Sequence, residues 1–327
     1  MTRGKKLLAL AAALLVIIIA ALLISRLSAE SKSAAEAEDD TSVQILSFSA
    51  DTLTELEWTY SGEGVALGYD GETWTYTADS AFPVDASYPN AIVKRLASLT
   101  ATRTIESPSD LAQYGLDEPE LTVSYTADGE TRTVSIGSEN AIGGSRYIAL
   151  DGDANVYLVD SELAELISYG LMDIVQLEEI PDMSDLLSFE LVIDDMVWQL
   201  DYVTTVTMVD DREMSESTWY LGSTVLNTDA ANETAGLITG LQWLTCADYN
   251  AADLSDYGLD TPAATVTVTY TDSDDAEQSF TLEIGGEADY GHYARISGSA
   301  MVYTIDPSIL QQLEALTMDY LQNGTEE

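Results

Sequence analysis

Tyr114-Gly115-Leu116-Asp117-Glu118-Pro119 returns 143 residues later as Tyr257-Gly258-Leu259-Asp260-Thr261-Pro262. A lone string of this length decides nothing, but the regions around the two copies stay collinear. Upstream, Trp74 pairs with Trp219, and Leu96, Leu99 and Thr100 pair with Leu241, Leu244 and Thr245. Downstream, an alternating strand at 121–125 pairs with 265–270, and Ile136-Gly137 with Ile284-Gly285. Arg146-Tyr147 then matches His292-Tyr293, and Val156-Tyr157 matches Val302-Tyr303. The offset drifts only between 143 and 148, as loop insertions produce. Self-similarity sustained in this way marks a tandem repeat of one supersecondary unit.

Within the first copy, strands are expected at 53–60, 65–69 and 73–77, with Asp70-Gly71 as a hairpin turn. A helix is expected at 89–99, and at 230–244 in the second copy. A short helical turn follows, started by Ser109 or Asp110 and stopped by Gly115. A glycine there suits a left-handed residue after a helix, and Pro119 blocks further helix. Asp253, Gly258 and Pro262 repeat this grammar. Strands at 121–125, 131–136, 147–150 and 156–159 and a helix at 161–168 complete the unit. Each copy therefore reads as an antiparallel sheet with helices packed on one face, an α+β module. The hexapeptide itself reads as a structural corner, carried by Tyr114, Gly115, Leu116, Asp117 and Pro119 and by Tyr257, Gly258, Leu259, Asp260 and Pro262.

Residues 7–24, LLALAAALLVIIIAALLI, are an unbroken apolar run of 18. At ~1.5 Å per residue this run spans about the hydrocarbon core of a bilayer. Arg3, Lys5 and Lys6 precede it, so the expected orientation keeps residues 1–6 in the cytoplasm and exports the rest. A cleavable leader is the competing reading, with Ala35-Glu36-Ala37 as a cleavage site, although leader apolar regions usually run only ~7–15 residues. No cysteine stands where a lipoprotein anchor would need one. The expected organisation is an N-terminus at 1–6, a transmembrane anchor at 7–24 and a flexible linker at 25–42. Repeat 1 follows at 43–173, a connector at 174–185, repeat 2 at 186–320 and a tail at 321–327.

Beyond Arg26 the chain carries 57 acidic residues against 8 basic ones. Such a surface repels phosphate backbones and anionic head groups, which excludes nucleic acid as a partner. One cysteine, Cys246, leaves no disulfide framework, so packing must hold the fold.

The pattern of an N-terminal anchor followed by two units of L-x-x-Y-G-L-D-x-P, an alternating strand and I-G resembles a bacterial family of unknown function. Members of that family are often encoded beside gliding-motility-type auxiliary ABC transporter components. The resemblance runs from about Val43 to Leu316. It implies an extracytoplasmic accessory subunit or cell-envelope protein, and it implies no catalytic residues.

Individual candidates for chemistry are few. His292 is the only histidine, and its counterpart in the first copy is Arg146. Without a second His or a nearby Cys it does not make a zinc site, and it reads as part of a turn entering a strand. Cys246, matched to Ala101, reads as a small buried residue, since a nucleophile needs a base within reach. Asp151, Asp153 and Asn155 with Glu162 fill calcium-loop positions 1, 3, 5 and 12, but Val156 stands where the loop needs Gly. An Asp-rich hairpin turn is the preferred reading there, with weak calcium binding by this loop or by Asp272-Ser273-Asp274-Asp275 left open. Gly143-Gly144-Ser145 lacks the Lys and the strand-to-helix setting of a phosphate loop. No carboxylate pair for glycosidase chemistry stands out among so many acids.

The functional expectation is a non-enzymatic, membrane-anchored, extracytoplasmic accessory or binding protein that meets a protein partner in the envelope or an ABC transporter complex. The alternative is a calcium-stabilised ectodomain that binds peptide or glycan. No resident cofactor is expected.

Overall fold

The computed structural model describes residues 42–324 apart from 142, 195, 210 and 211. The expected anchor at 7–24 and nearly all of the linker lie outside the described residues. Among the described residues no helix is long and apolar enough to cross a membrane.

The first unit comprises β1 (Val43–Gln44), β2 (Leu53–Tyr60), β3 (Glu63–Tyr69), β4 (Trp74–Tyr76), α1 (Ser87–Leu96), β5 (Thr100–Ala101) and β6 (Arg103–Ile105). It continues through β7 (Leu121–Ala127), β8 (Glu130–Glu139), β9 (Ser145–Leu150), β10 (Val156–Asp160) and α2 (Glu162–Leu166). The second contains β11 (Asp185–Ile193), β12 (Met196–Val209), β13 (Arg212–Leu221), β14 (Thr224–Val225), α3 (Thr228–Thr239) and β15 (Thr245–Asp248). Then come β16 (Ala264–Thr271), β17 (Glu277–Glu287), β18 (His292–Ile296), β19 (Val302–Ile305), α4 (Pro307–Glu314) and α5 (Met318–Asn323).

The first sheet is ordered β4-β3-β2-β7-β8-β9-β10-β6, and the second β14-β13-β12-β11-β16-β17-β18-β19-β15. Apart from the short β14, each strand of one sheet has a counterpart at the same place in the other. The strand pairings are antiparallel throughout. The two-repeat, α+β-like architecture thus follows the reading of the sequence.

Period-2 alternation explains which side of each sheet is covered. In β7, Val123, Tyr125 and Ala127 are buried, and they join Ile92, Val93 and Leu96 of α1 in one core. The other side carries hydroxyls, with Ser124 and Thr133 2.8 Å apart, and Thr267 and Thr281 repeat this pair in the second sheet at 3.0 Å. Both units also clamp a helix to a strand through one indole. Trp74 Nε1 donates to Asn90 Oδ1 at 2.9 Å, and Trp219 Nε1 donates to Asn232 Oδ1 at 2.7 Å. Burying either ring without that acceptor would leave an unsatisfied donor, at a cost of ~1–3 kcal/mol.

Several expectations change in detail. The first helix starts two residues earlier than expected and stops at Leu96, not residue 99. The second stops at Thr239, well short of 244, where Gly240 donates its N–H to the Gly236 carbonyl. The pairing of Leu96, Leu99 and Thr100 with Leu241, Leu244 and Thr245 is therefore out of register. Asn90 corresponds to Asn232, Leu96 to Ile238 and Leu99 to Leu241 in their places in the fold, an offset of 142. A slip of three residues is nearly one helical turn, so it keeps apolar positions on one face and escapes detection in sequence. The same correction moves Cys246. It faces Tyr303 across the ladder as Thr104 faces Tyr157, so Thr104 and not Ala101 is its counterpart.

The packing also runs past two expected boundaries. Ile174 and Val175, in the expected connector, lie in the first core, and Val84 bridges to Val175. Leu321, in the expected tail, is fully buried in the second core. The units share an interface as well. Cys246 and Tyr303 of the second belong to the first core, and Tyr249 packs edge-on to Phe82 at 4.9 Å. The Tyr249 hydroxyl donates to Asp79 at 2.7 Å.

Candidate functional site

The repeated hexapeptide forms a corner with one construction in both units. A 3-10 turn, Ala112–Tyr114 or Leu254–Tyr257, ends at a glycine with φ of +68° or +66°. Asp110 accepts from the Ala112 N–H at its start, as Asp253 does from Ser255. Leu116 and Leu259 then turn inward and are buried. The distant I-G of each repeat has its reason here. A Cβ at Gly137 would stand 2.1 Å from the Tyr114 carbonyl oxygen, and one at Gly285 would stand 2.3 Å from that of Tyr257. The strand needs glycine because the corner rests on it. Tyr114 and Tyr257 finish the joint by meeting Tyr147 and Tyr293 edge-on, at 4.9 and 5.1 Å. In the second unit the Tyr257 hydroxyl also donates to Asp248 at 2.8 Å. Burial, reinforced by that carboxylate, pushes its pKa up to about 12. The opening aspartates of both corners and the Tyr257 hydroxyl are thus engaged within the fold.

The calcium-loop residues do not converge. Residues 151–155 are the turn between β9 and β10, with Gly152 at φ +77°. Asp153 accepts from the Asn155 N–H at 3.0 Å and from the Tyr157 hydroxyl at 2.5 Å. The tyrosine hydroxyl first, and the backbone N–H second, hold this carboxyl below its ordinary range. Asn155 Oδ1 accepts from the Ser107 N–H. Glu162, at the expected twelfth position, pairs instead with Arg95 at 3.0 Å on the far side of β10. Among the described residues no three His, Cys, Asp or Glu side chains group as a metal site. In the second acidic loop, Asp272 is engaged by the N–H groups of Asp274 and Ala276 and by Gln278.

His292 opens β18, paired with Glu287 and Ile305, and its Nδ1 is buried with no hydrogen-bond partner among the described residues. Cys246 is buried on β15, and burial, with Asp248 second, pushes its thiol up to about 11. Such a thiol stays protonated at neutral pH and is a poor nucleophile.

Two surfaces emerge that the sequence reading did not single out. The first is a cleft of about 300 Å³ between the units, lined by Tyr88, Tyr169, Met172, Leu177, Leu244 and Cys246, among others. Tyr169, Met172, Leu177 and Leu244 are 36–44% exposed, which is much apolar surface for one cleft. Asp85 and Asp173 also line it. Next to Leu177, the Glu178 N–H donates to the Tyr303 hydroxyl at 2.9 Å and its carbonyl accepts from Trp243 Nε1 at 3.0 Å. Trp243 in turn stacks on Tyr303 at 4.1 Å.

The second surface is a ribbon in the second unit. In the first unit, strands β3 and β4 end their pairing at Tyr69 and Trp74, stacked at 4.6 Å, and a four-residue turn joins them. The matching pair, Tyr202 and Trp219, sits 4.8 Å apart, but β12 and β13 run on through seven further cross-strand pairs, from Val203–Thr218 to Val209–Arg212. At ~3.4 Å per residue the extension reaches roughly 24 Å beyond the core. Val203, Val206, Met208 and Met214 on it are 45–64% exposed. Aligning Tyr69 with Tyr202 as well as Trp74 with Trp219 would have revealed this insertion in the sequence.

The fold defines a class: a tandem-repeat α+β-like protein whose two units build the same corner. Residues 74–176 and 222–322 match the domain of unknown function DUF4340, which is well over half of the chain, and the protein belongs to that family. Both matched segments carry the corner, and the ribbon lies between them. Comparison with curated proteins and with solved structures gives no match.

Proposed function

We propose that this protein is a membrane-anchored, extracytoplasmic accessory protein without catalytic activity of its own, which docks on another component of the envelope such as an ABC transporter complex. The observation that supports this reading is the cleft between the repeats. Exposed apolar patches rimmed by polar groups mark interaction sites, and this one draws its walls from both units. Of the side chains the units hold in common, Tyr114, Trp74 and their counterparts pack within the fold, and Asp110 and Asp253 accept turn N–H groups. The apolar run at 7–24 and the linker after it would hold the two units above a membrane with reach to a neighbour.

The test is recovery of partners from membranes. The full-length chain is captured after mild cross-linking, and bound proteins are identified by mass spectrometry. It is run beside Leu244→Asp, which places a charge in the cleft at a position 44% exposed. Transporter subunits should co-purify with the wild type and drop several-fold with Leu244→Asp. Recovery of nothing above background, or equal recovery with both proteins, refutes the reading. A calcium-stabilised peptide- or glycan-binding ectodomain gains no support from the geometry of Asp151, Asp153 and Asn155.

A further inference from the structure

We infer that two copies of this chain pair through the outer edge of β12 at residues 203–209, in antiparallel register centred on Val206. The pairing of β11 with β12 stops at Ser188–Asp201, so beyond that point the outer side of β12 has no strand partner among the described residues. Natural edge strands are protected by charges, prolines, bulges or shortness. This edge has none of those protections. Its sequence, Val-Thr-Thr-Val-Thr-Met-Val, holds no charge and no proline, and six of its seven residues are β-branched. Such composition favours pairing with another strand.

Charge selects the edge at which two copies can meet. The chain carries a net charge of −45, so two copies repel almost wherever their surfaces meet. Antiparallel pairing about Val206 sets Val206 on Val206, Thr205 on Thr207, Thr204 on Met208 and Val203 on Val209, with no like charges opposed. The opposite edge of the ribbon, at 212–218, would bring Glu213 and Glu216 of both copies together. β14 covers only Tyr220 and Leu221 on that side. β-branched side chains directly opposite one another pack across the strands and stabilise the pairing. Exposed Val206 and Met208 supply apolar area as the two ribbons merge into four strands. Screening should strengthen the dimer, because salt weakens the repulsion of the bodies and leaves the uncharged edge unaffected. A cationic strand from another protein would show the opposite dependence. This contact is independent of the cleft between the repeats.

The experiment is disulfide trapping in the full-length chain. Cys246 is buried, so the wild type supplies the background. Val206→Cys and Met214→Cys replace residues 59% and 57% exposed, and unchanged far-UV circular dichroism checks the fold. In the four-stranded arrangement the two 206 positions face each other. The 214 positions sit three strand spacings apart, roughly 14 Å, too far for a disulfide. Mild oxidation should give several-fold more covalent dimer with Val206→Cys than with Met214→Cys, rising as NaCl increases. Adding Thr205→Lys to Val206→Cys, which puts a charge on each copy beside the axis, should lower that yield several-fold. Equal trapping at 206 and 214, no dimer at either, or a yield that falls with salt overturns the inference.

Discussion

Replacing Gly285 by alanine tests whether the repeated corner holds each unit together. The added Cβ would lie 2.3 Å from the Tyr257 carbonyl oxygen, 2.9 Å from Leu259 Cγ and 3.1 Å from its Cδ2. Ordinary C···O contacts fall near ~3.3–3.6 Å, so the carbonyl must withdraw by about 1 Å. That carbonyl belongs to a 3-10 turn closed by the Gly258 and Leu259 N–H groups, which donate to Ser255 and Leu254. The turn cannot yield without moving buried Leu259. Overpacking of this kind costs ~1–3 kcal/mol, more where backbone must shift, and we expect about 3 kcal/mol. With a urea slope of ~1–3 kcal/mol/M, the unfolding midpoint of the second unit should fall by roughly 1–3 M. Gly64→Ala is the control. It makes the same chemical change in a strand where a Cβ meets nothing within 4 Å, and alanine there should be neutral or stabilising by up to ~1 kcal/mol. Gly137→Ala, 2.1 Å from the Tyr114 carbonyl, should weaken the first unit instead. Urea titration followed by tryptophan fluorescence and circular dichroism reads both units. A wild-type midpoint for Gly285→Ala, or an equal loss in Gly64→Ala, would refute the close-packing argument.

Two further outcomes follow from the site geometry. Tyr257 has its pKa raised to about 12 by burial and then by Asp248, against ~10 in an unfolded chain. The folded state therefore holds the proton more tightly, so its stability is complete below pH ~10 and declines as pH rises towards 12. Alkaline denaturation should show that decline, and Tyr257→Phe should flatten it; an unchanged slope counts against the hydrogen bond to Asp248. Because Asp153 is occupied by the Asn155 N–H and the Tyr157 hydroxyl, millimolar calcium should leave the melting temperature unchanged. A rise that disappears in Asp153→Ala would restore calcium binding, since a ligand of the native state raises stability by mass action.

Much of the module was legible because its rules are local. Alternation in 121–125 placed β7, and Asp110, Gly115 and Pro119 marked a turn whose chemistry does not depend on the rest of the chain. Asn90 and Asn232 went unnoticed because their role, receiving an indole N–H, depends on a tryptophan in another element. The cleft residues Tyr169, Leu177 and Leu244 carry no local signal that sets them apart from other apolar positions. Their exposure follows only from how the two units dock.

The amino-acid sequence by itself determined the duplication, the alternating strands and the corner built on Tyr114-Gly115-Leu116 and Tyr257-Gly258-Leu259. Each of these rests on spacing and backbone preference within a few residues. Tertiary structure alone decided that Gly137 and Gly285 exist to admit those corners, and that the helices align at an offset of 142. It alone decided that the edge of β12 beyond Asp201 is left open. These are contacts between residues far apart in the chain, where hydrophobic periodicity is blind to a three-residue slip and to which strand edge remains open.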